Sequence, residues 1–151
     1  MTYPKARARA LAIMLSCVAM TALLFAGSAH AASRGYRLLN KSDQTLKLIG
    51  ASRLPSVLCN GAICVKTEHP MDFEGRPADD SLLKPGATDA WELKYGVGYT
   101  YAAELKYKVV GSDATVTYTI ETSTYTNNSA CKVSPPSAGS CTAGGTALGF
   151  N

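Results

Sequence analysis

Histidine and tryptophan are almost absent from this 151-residue chain, which has two histidines, His30 and His69, and a single tryptophan, Trp91. With one histidine beyond the first 31 residues, a multi-histidine metal centre is excluded, and any Ser-His-Asp system would have to be built on His69. There is no Gly-x-Ser-x-Gly elbow, and Gly96-Val97-Gly98 lacks the rest of a phosphate-binding fingerprint. No catalytic set, metal site or cofactor is expected. His69, just before Pro70, reads more simply as a surface histidine than as a base, because a positioned base needs a neighbour within hydrogen-bond reach.

Acidic residues are missing from the first 31 positions, whereas Lys5, Arg7 and Arg9 are there. Next comes an uncharged apolar run, Leu11 to Phe25, and then Gly27-Ser28-Ala29-His30-Ala31. This three-part pattern predicts a secretory signal peptide over residues 1–31, cleaved after Ala31, and a secreted domain over 32–151, extracellular or in the periplasm or envelope. The run of fifteen residues is short for a bilayer span, which needs about 20. Cys17 is followed by more apolar residues, as in an ordinary signal peptide rather than a lipoprotein.

Of 15 Lys and Arg, three lie in that leader, which leaves 12 against 11 Asp and Glu. A nearly neutral domain without a basic cluster has nothing to neutralise a run of phosphates, so nucleic acid is excluded as a partner.

Long helical stripes are also lacking, and so are internal repeats. Roughly 120 residues make one domain with one core. Four cysteines remain after the leader: Cys59, Cys64, Cys131 and Cys141. An even number in an exported chain predicts two disulfides. Local pairing, Cys59 with Cys64 and Cys131 with Cys141, follows from the turn-forming Asn60-Gly61 inside the first pair and the Pro- and Gly-rich stretch inside the second. A four-cysteine zinc site fits badly, because nine residues separate Cys131 from Cys141.

Strand signals are frequent. Gly35 to Leu39 and Thr45 to Ile49 flank Asn40 to Gln44 and predict a hairpin. Ala51 to Ser81, punctuated by Pro55, Asn60-Gly61, Pro70, Gly75 and Pro77, reads as an irregular loop with a short strand at Ile63 to Lys66. Asp89 to Tyr95 alternates Trp91, Leu93 and Tyr95 with Glu92 and Lys94. In Tyr99 to Val110, period two puts Tyr99, Tyr101, Ala103, Leu105, Tyr107 and Val109 on one apolar face. Most of these tyrosines therefore belong to the core, and Tyr95 and Tyr99, beside the glycine turn, are the expected exposed exceptions. Thr115 to Thr122 turns Val116, Tyr118 and Ile120 inward, and Thr146 to Phe150 closes a sheet edge. Many short strands without helices predict an all-β fold, a single antiparallel β-sandwich with two disulfide-tied loops.

Three pieces in order, NKSDQTLKLIG from Asn40, LLKPGATDAWEL from Leu82 and VTYTI from Val116, resemble aegerolysin-like and small bacterial crystal-toxin-like β-sandwich proteins over roughly residues 37 to 121. That resemblance implies a β-sandwich and, in some members, lipid recognition or partnership in pore formation. Aegerolysins are typically acidic, rich in tryptophan and without signal peptide or disulfides, so only the fold is carried over and no binding residue.

The expected function is a secreted, non-enzymatic binding or interaction protein at a cell surface or envelope, with a membrane lipid, a glycan or a protein as ligand and oligomeric state open. Tyr95, Tyr99, Asn60 and His69 are its candidate contacts. One alternative is a small envelope hydrolase using His69 or the carboxylates Asp72, Glu74, Asp79 and Asp80; another is a secreted protease inhibitor offering the loop between Cys59 and Cys64.

Overall fold

A computed structural model describes residues 32–60, 63–67, 72–96 and 99–151. The chain runs β1 (Ala32–Asn40), β2 (Leu46–Asn60), β3 (Ile63–Thr67), β4 (Asp72–Glu74), β5 (Leu82–Leu83), β6 (Thr88–Tyr95), β7 (Tyr99–Val109), β8 (Thr115–Thr122), β9 (Asn127–Ser134), a 3-10 turn (Pro136–Ala138), β10 (Cys141–Gly144) and β11 (Ala147–Phe150). The described residues are all-β. One sheet has the order β10-β11-β1-β6-β4 and the other β3-β2-β7-β8-β9, with β5 on β2.

The alternation legible in the sequence is the reason these segments are strands. Leu46, Leu48, Trp91, Leu93, Leu105, Tyr107, Val116, Tyr118 and Ile120 are all buried, as the period-two pattern predicts. Both sheets contribute to this one buried cluster. Phenol groups tie the sheets together through polar side chains: Tyr36 Oη donates to Asn127 Oδ1 at 2.8 Å and Tyr107 Oη donates to Asp89 Oδ2 at 3.2 Å. The Cys131–Cys141 disulfide, with Cα atoms 6.1 Å apart, joins β9 at the end of one sheet to β10 at the end of the other.

Several expectations are corrected. β1 and β2 do not form a hairpin: β1 lies between β11 and β6, and β2 pairs with β3, β5 and β7. Asn40 causes the change of sheet. Its buried amide donates to Gln44 O at 2.6 Å and Leu83 O at 3.0 Å, and its Oδ1 accepts from Ser42 Oγ at 2.7 Å, so the polar run folds into a side-chain-held turn rather than a two-strand reversal.

The stretch from Ala51 is not an irregular loop, because β2 continues to Asn60 and returns as β3. Pro55 sits where the β2–β7 register shifts between Leu54 and Val57, and Gly50 sits at the other shift. A proline without an N–H is tolerated in a strand where the ladder is interrupted. Of the signals that suggested a loop, Pro55 marks a bulge of one long strand, whereas Gly75 and Pro77 do lie in a stretch without regular structure.

β11 does not close an edge. It lies between β10 and β1 and runs parallel to β1, so the sheets are antiparallel apart from this one pairing among the described residues. A Cβ at Gly149 would come 2.7 Å from Thr142 Oγ1, so a larger residue there would need the threonine side chain to turn away. Tyr95 is not an exposed exception. At 2 % exposure it belongs to the core.

Candidate functional site

At one end of the six-stranded sheet, β2 and β3 form an arm. The register sets Val65 opposite Leu58 and Leu58 opposite Tyr99, a single row across β3, β2 and β7. Directly opposed residues share a sheet face, and Tyr99 has the parity of Tyr101 and Ala103. The row therefore continues the core face, and Ile63 lies two residues beyond Val65 on the same side. The body buries Tyr101, whereas Leu58 is 38 %, Val65 58 % and Ile63 72 % exposed. Tyr99 is half-buried and packs against Tyr101 with ring centroids 6.1 Å apart.

The same sheet end holds a second apolar group. Thr122, the last residue of β8, lies opposite Tyr101, so the β8–β9 turn lies beside the arm across β7. Tyr125 at its tip is 92 % exposed. Local hydrogen bonds hold the turn: Ser123 Oγ accepts from Tyr125 N at 3.1 Å and Thr126 N at 2.9 Å, and Ser123 N donates to Thr126 O at 2.9 Å. Arg34 braces it from the other sheet, donating to Thr126 O at 2.7 Å. The sequence held a signal for this turn, Ser123-Thr124-Tyr125-Thr126 between two strands, but nothing in it marked the tyrosine as exposed.

Charge at the arm has one sign. Residues 51–67 contain Arg53 and Lys66 and no aspartate or glutamate. Arg53 lies opposite Ala103, and so projects from the same sheet face as Leu58 and Val65, while Lys66, opposite Val57, projects from the other.

Of the candidate contacts read from the sequence, Tyr99 stands at the root of the arm and Asn60 ends β2 opposite Ile63, while Tyr95 is in the core. His69 lies outside the described residues. The loop carboxylates do not gather: Glu74 pairs with Lys94 at 2.7 Å, Asp79 with Arg76 at 3.2 Å and Asp80 with Lys47 at 2.8 Å. Asp72 stands opposite Lys94 in the β4–β6 register.

A separate depression of about 620 Å³ opens on the outer face of the five-stranded sheet, with Gly35, Ala90 and Ala147 among its lining and Glu74, Glu92 and Arg37 around it. Glu74 and Glu92 face each other across β4 and β6. Among the described residues, no group of three or more His, Cys, Asp or Glu is placed to hold a metal ion.

Ionisation is shifted at groups inside the fold. Burial pushes the Asp89 carboxyl above its ordinary value, against the hydrogen bond from Tyr107, which lowers it. Burial likewise raises the phenols of Tyr36, Tyr107 and Tyr118. These groups act as structural ties.

No family model, curated protein or solved structure matches the chain.

Proposed function

We propose that this is an exported, non-enzymatic binding protein that acts at a cell surface or envelope, with the β2–β3 arm as its contact. The observation that supports it is the row Val65, Leu58 and Tyr99, an apolar sheet face that continues the core and then emerges into solvent. Exposed apolar residues that are contiguous, rather than scattered, mark interaction sites.

The frame for that arm is a β-sandwich with two disulfide-tied loops. Supporting the sandwich are the shared buried cluster and the hydrogen bonds between sheets. Supporting a second bridge, Cys59 with Cys64, are the direct opposition of the two residues in the β2–β3 register and the disulfide-bonded state of Cys64. A bridge there would hold the end of the arm in one shape, which lowers the ordering cost of binding.

Sedimentation of the protein with cell-wall material, with vesicles and with immobilised envelope proteins tests the reading. A Leu58→Ser/Val65→Ser double variant should lose whichever association the parent shows. Full retention in every assay would remove the arm from the binding site.

A hydrolase is the second reading, and one observation favours it. Opposed residues on paired strands have Cβ atoms about 4.5–5.5 Å apart. Glu74 and Glu92, directly opposed on β4 and β6, share one sheet face, and a facing pair of carboxylates is what glycoside hydrolysis uses. Release of sugar from envelope glycan that disappears in Glu92→Gln would replace the binding reading with this one.

A further inference from the structure

We infer that the outer face of the five-stranded sheet holds a binding site, independent of the arm, for a short zwitterionic peptide, its ammonium on Glu92 and its carboxylate on Arg37. The strand register draws the site. On that face Glu92 of β6 stands opposite Gly35 of β1, and Arg37 of β1 stands opposite Ala90 of β6 and Ala147 of β11. An acid and a base thus occupy diagonal corners around a floor of small residues. That floor is the depression of about 620 Å³, a volume within the range of ligand sites.

Gly35 is the residue that calls for a ligand. It lies inside β1 with the register to β6 unbroken from Ala32 to Leu39, and its φ is not positive. Among the described residues, a Cβ added to it would meet nothing within 4 Å. No bulge, turn or crowding requires glycine at this point, although glycine weakens the interior of a strand. The use that remains is the close approach of a ligand or another backbone.

Charge selects the occupant. Glu74 is matched by Lys94 at 2.7 Å, whereas among the described residues neither Glu92 nor Arg37 forms an ion pair. A second depression, of about 330 Å³, shares Arg37 and Ala147 with the first and reaches Lys41. The groove is therefore acidic at one end and basic at the other. A neutral glycan would leave both charges unmatched, and a polyanion would meet Glu92, whereas a zwitterion satisfies each end and offers arginine a carboxylate it can hold through two parallel N–H groups. Diagonal neighbours across paired strands lie about 7–8 Å apart. Two extended residues at roughly 3.3–3.6 Å each span that distance, so the charges of a dipeptide fit better than those of a single amino acid.

The test is calorimetric titration of the protein, as recovered after export, with dialanine, its N-acetyl form, its amide, and alanine. Dialanine should bind, and loss of either terminal charge should weaken it by about tenfold or more. Glu92→Gln should erase the difference between dialanine and its N-acetyl form, and Arg37→Gln the difference between dialanine and its amide, a paired effect that a structural role at either residue would not produce. Gly35→Leu should remove binding and Gly35→Ala should weaken it less, both with thermal unfolding at or above the parent's, because open space receives the new side chain. Leu58→Ser/Val65→Ser should bind dialanine as the parent does, which separates the groove from the arm. No binding of dialanine at millimolar concentration, equal binding of the blocked forms, or binding that Gly35→Leu leaves intact overturns the site. Alanine or a neutral sugar binding more tightly than dialanine overturns the peptide assignment.

Discussion

Tyr118 Oη, on β8 of the six-stranded sheet, donates a 2.9 Å hydrogen bond to the carbonyl of Gly149, on β11 of the other. Both residues are buried, so one polar contact inside the core links the middle of one sheet to a strand from the end of the chain. Tyr118→Phe keeps the ring and loses the donor. It should cost about 0.5–1.5 kcal/mol in denaturant unfolding, the net worth of one hydrogen bond, with the slope unchanged. A neutral result would mean that the Gly149 carbonyl does not depend on this phenol.

Period-two burial makes a sharper contrast one strand over. Leu105 is fully buried and Lys106, its neighbour on β7, is exposed. Leu105→Ala should destabilise by ~2–5 kcal/mol, whereas Lys106→Ala should stay within about 0.5 kcal/mol. Equal effects at the two positions would contradict the facing of β7.

Asp89 gives stability a pH dependence of definite sign. Burial raises its folded pKa above the ordinary carboxyl value, so the folded state holds this proton more tightly than the unfolded chain does. The stabilisation is fully present below the unfolded value and is lost as pH rises through the folded one. Asp89→Asn cannot ionise, and in urea unfolding followed upward from about pH 4 the variant should lack the decline that Asp89 contributes. An identical pH profile in parent and variant would show that the carboxyl is not shifted.

Cys131–Cys141 closes a short segment between β9 and β10, strands that lie in different sheets. Cys131→Ser/Cys141→Ser should lose ~2–3 kcal/mol on a chain-entropy estimate. Peptide mapping without reductant should recover Cys131 with Cys141 and Cys59 with Cys64. A cross-link between the two pairs would refute local pairing.

Export has a direct readout. Intact mass of the protein recovered outside the cytoplasm should begin at Ala32, matching cleavage after Ala31. Retained Met1, or a lipid on Cys17, would show that the leader had been misread.

Alternation along a strand is a local property, and the sequence by itself determined it. The buried faces of β6, β7 and β8 were readable because apolar side chains recur every second residue, and the Cys131–Cys141 pairing because a turn-rich stretch lies between the two cysteines. What alternation does not contain is the partner. Leu46 and Leu48 mark a strand with a buried face equally well whether β2 pairs with β1 or with β7, and the choice fell to Asn40, whose buried amide turns the chain toward the other sheet. Nor does a run such as Thr146 to Phe150 say that it lies inside a sheet, parallel to a strand roughly a hundred residues earlier; that pairing depends on the shared core closing around it. The candidate site follows the same rule. Tyr95 and Tyr99 lie on the same kind of apolar face, and only the tertiary packing decides that one is sealed in the core while the other stands half-buried at the root of the arm.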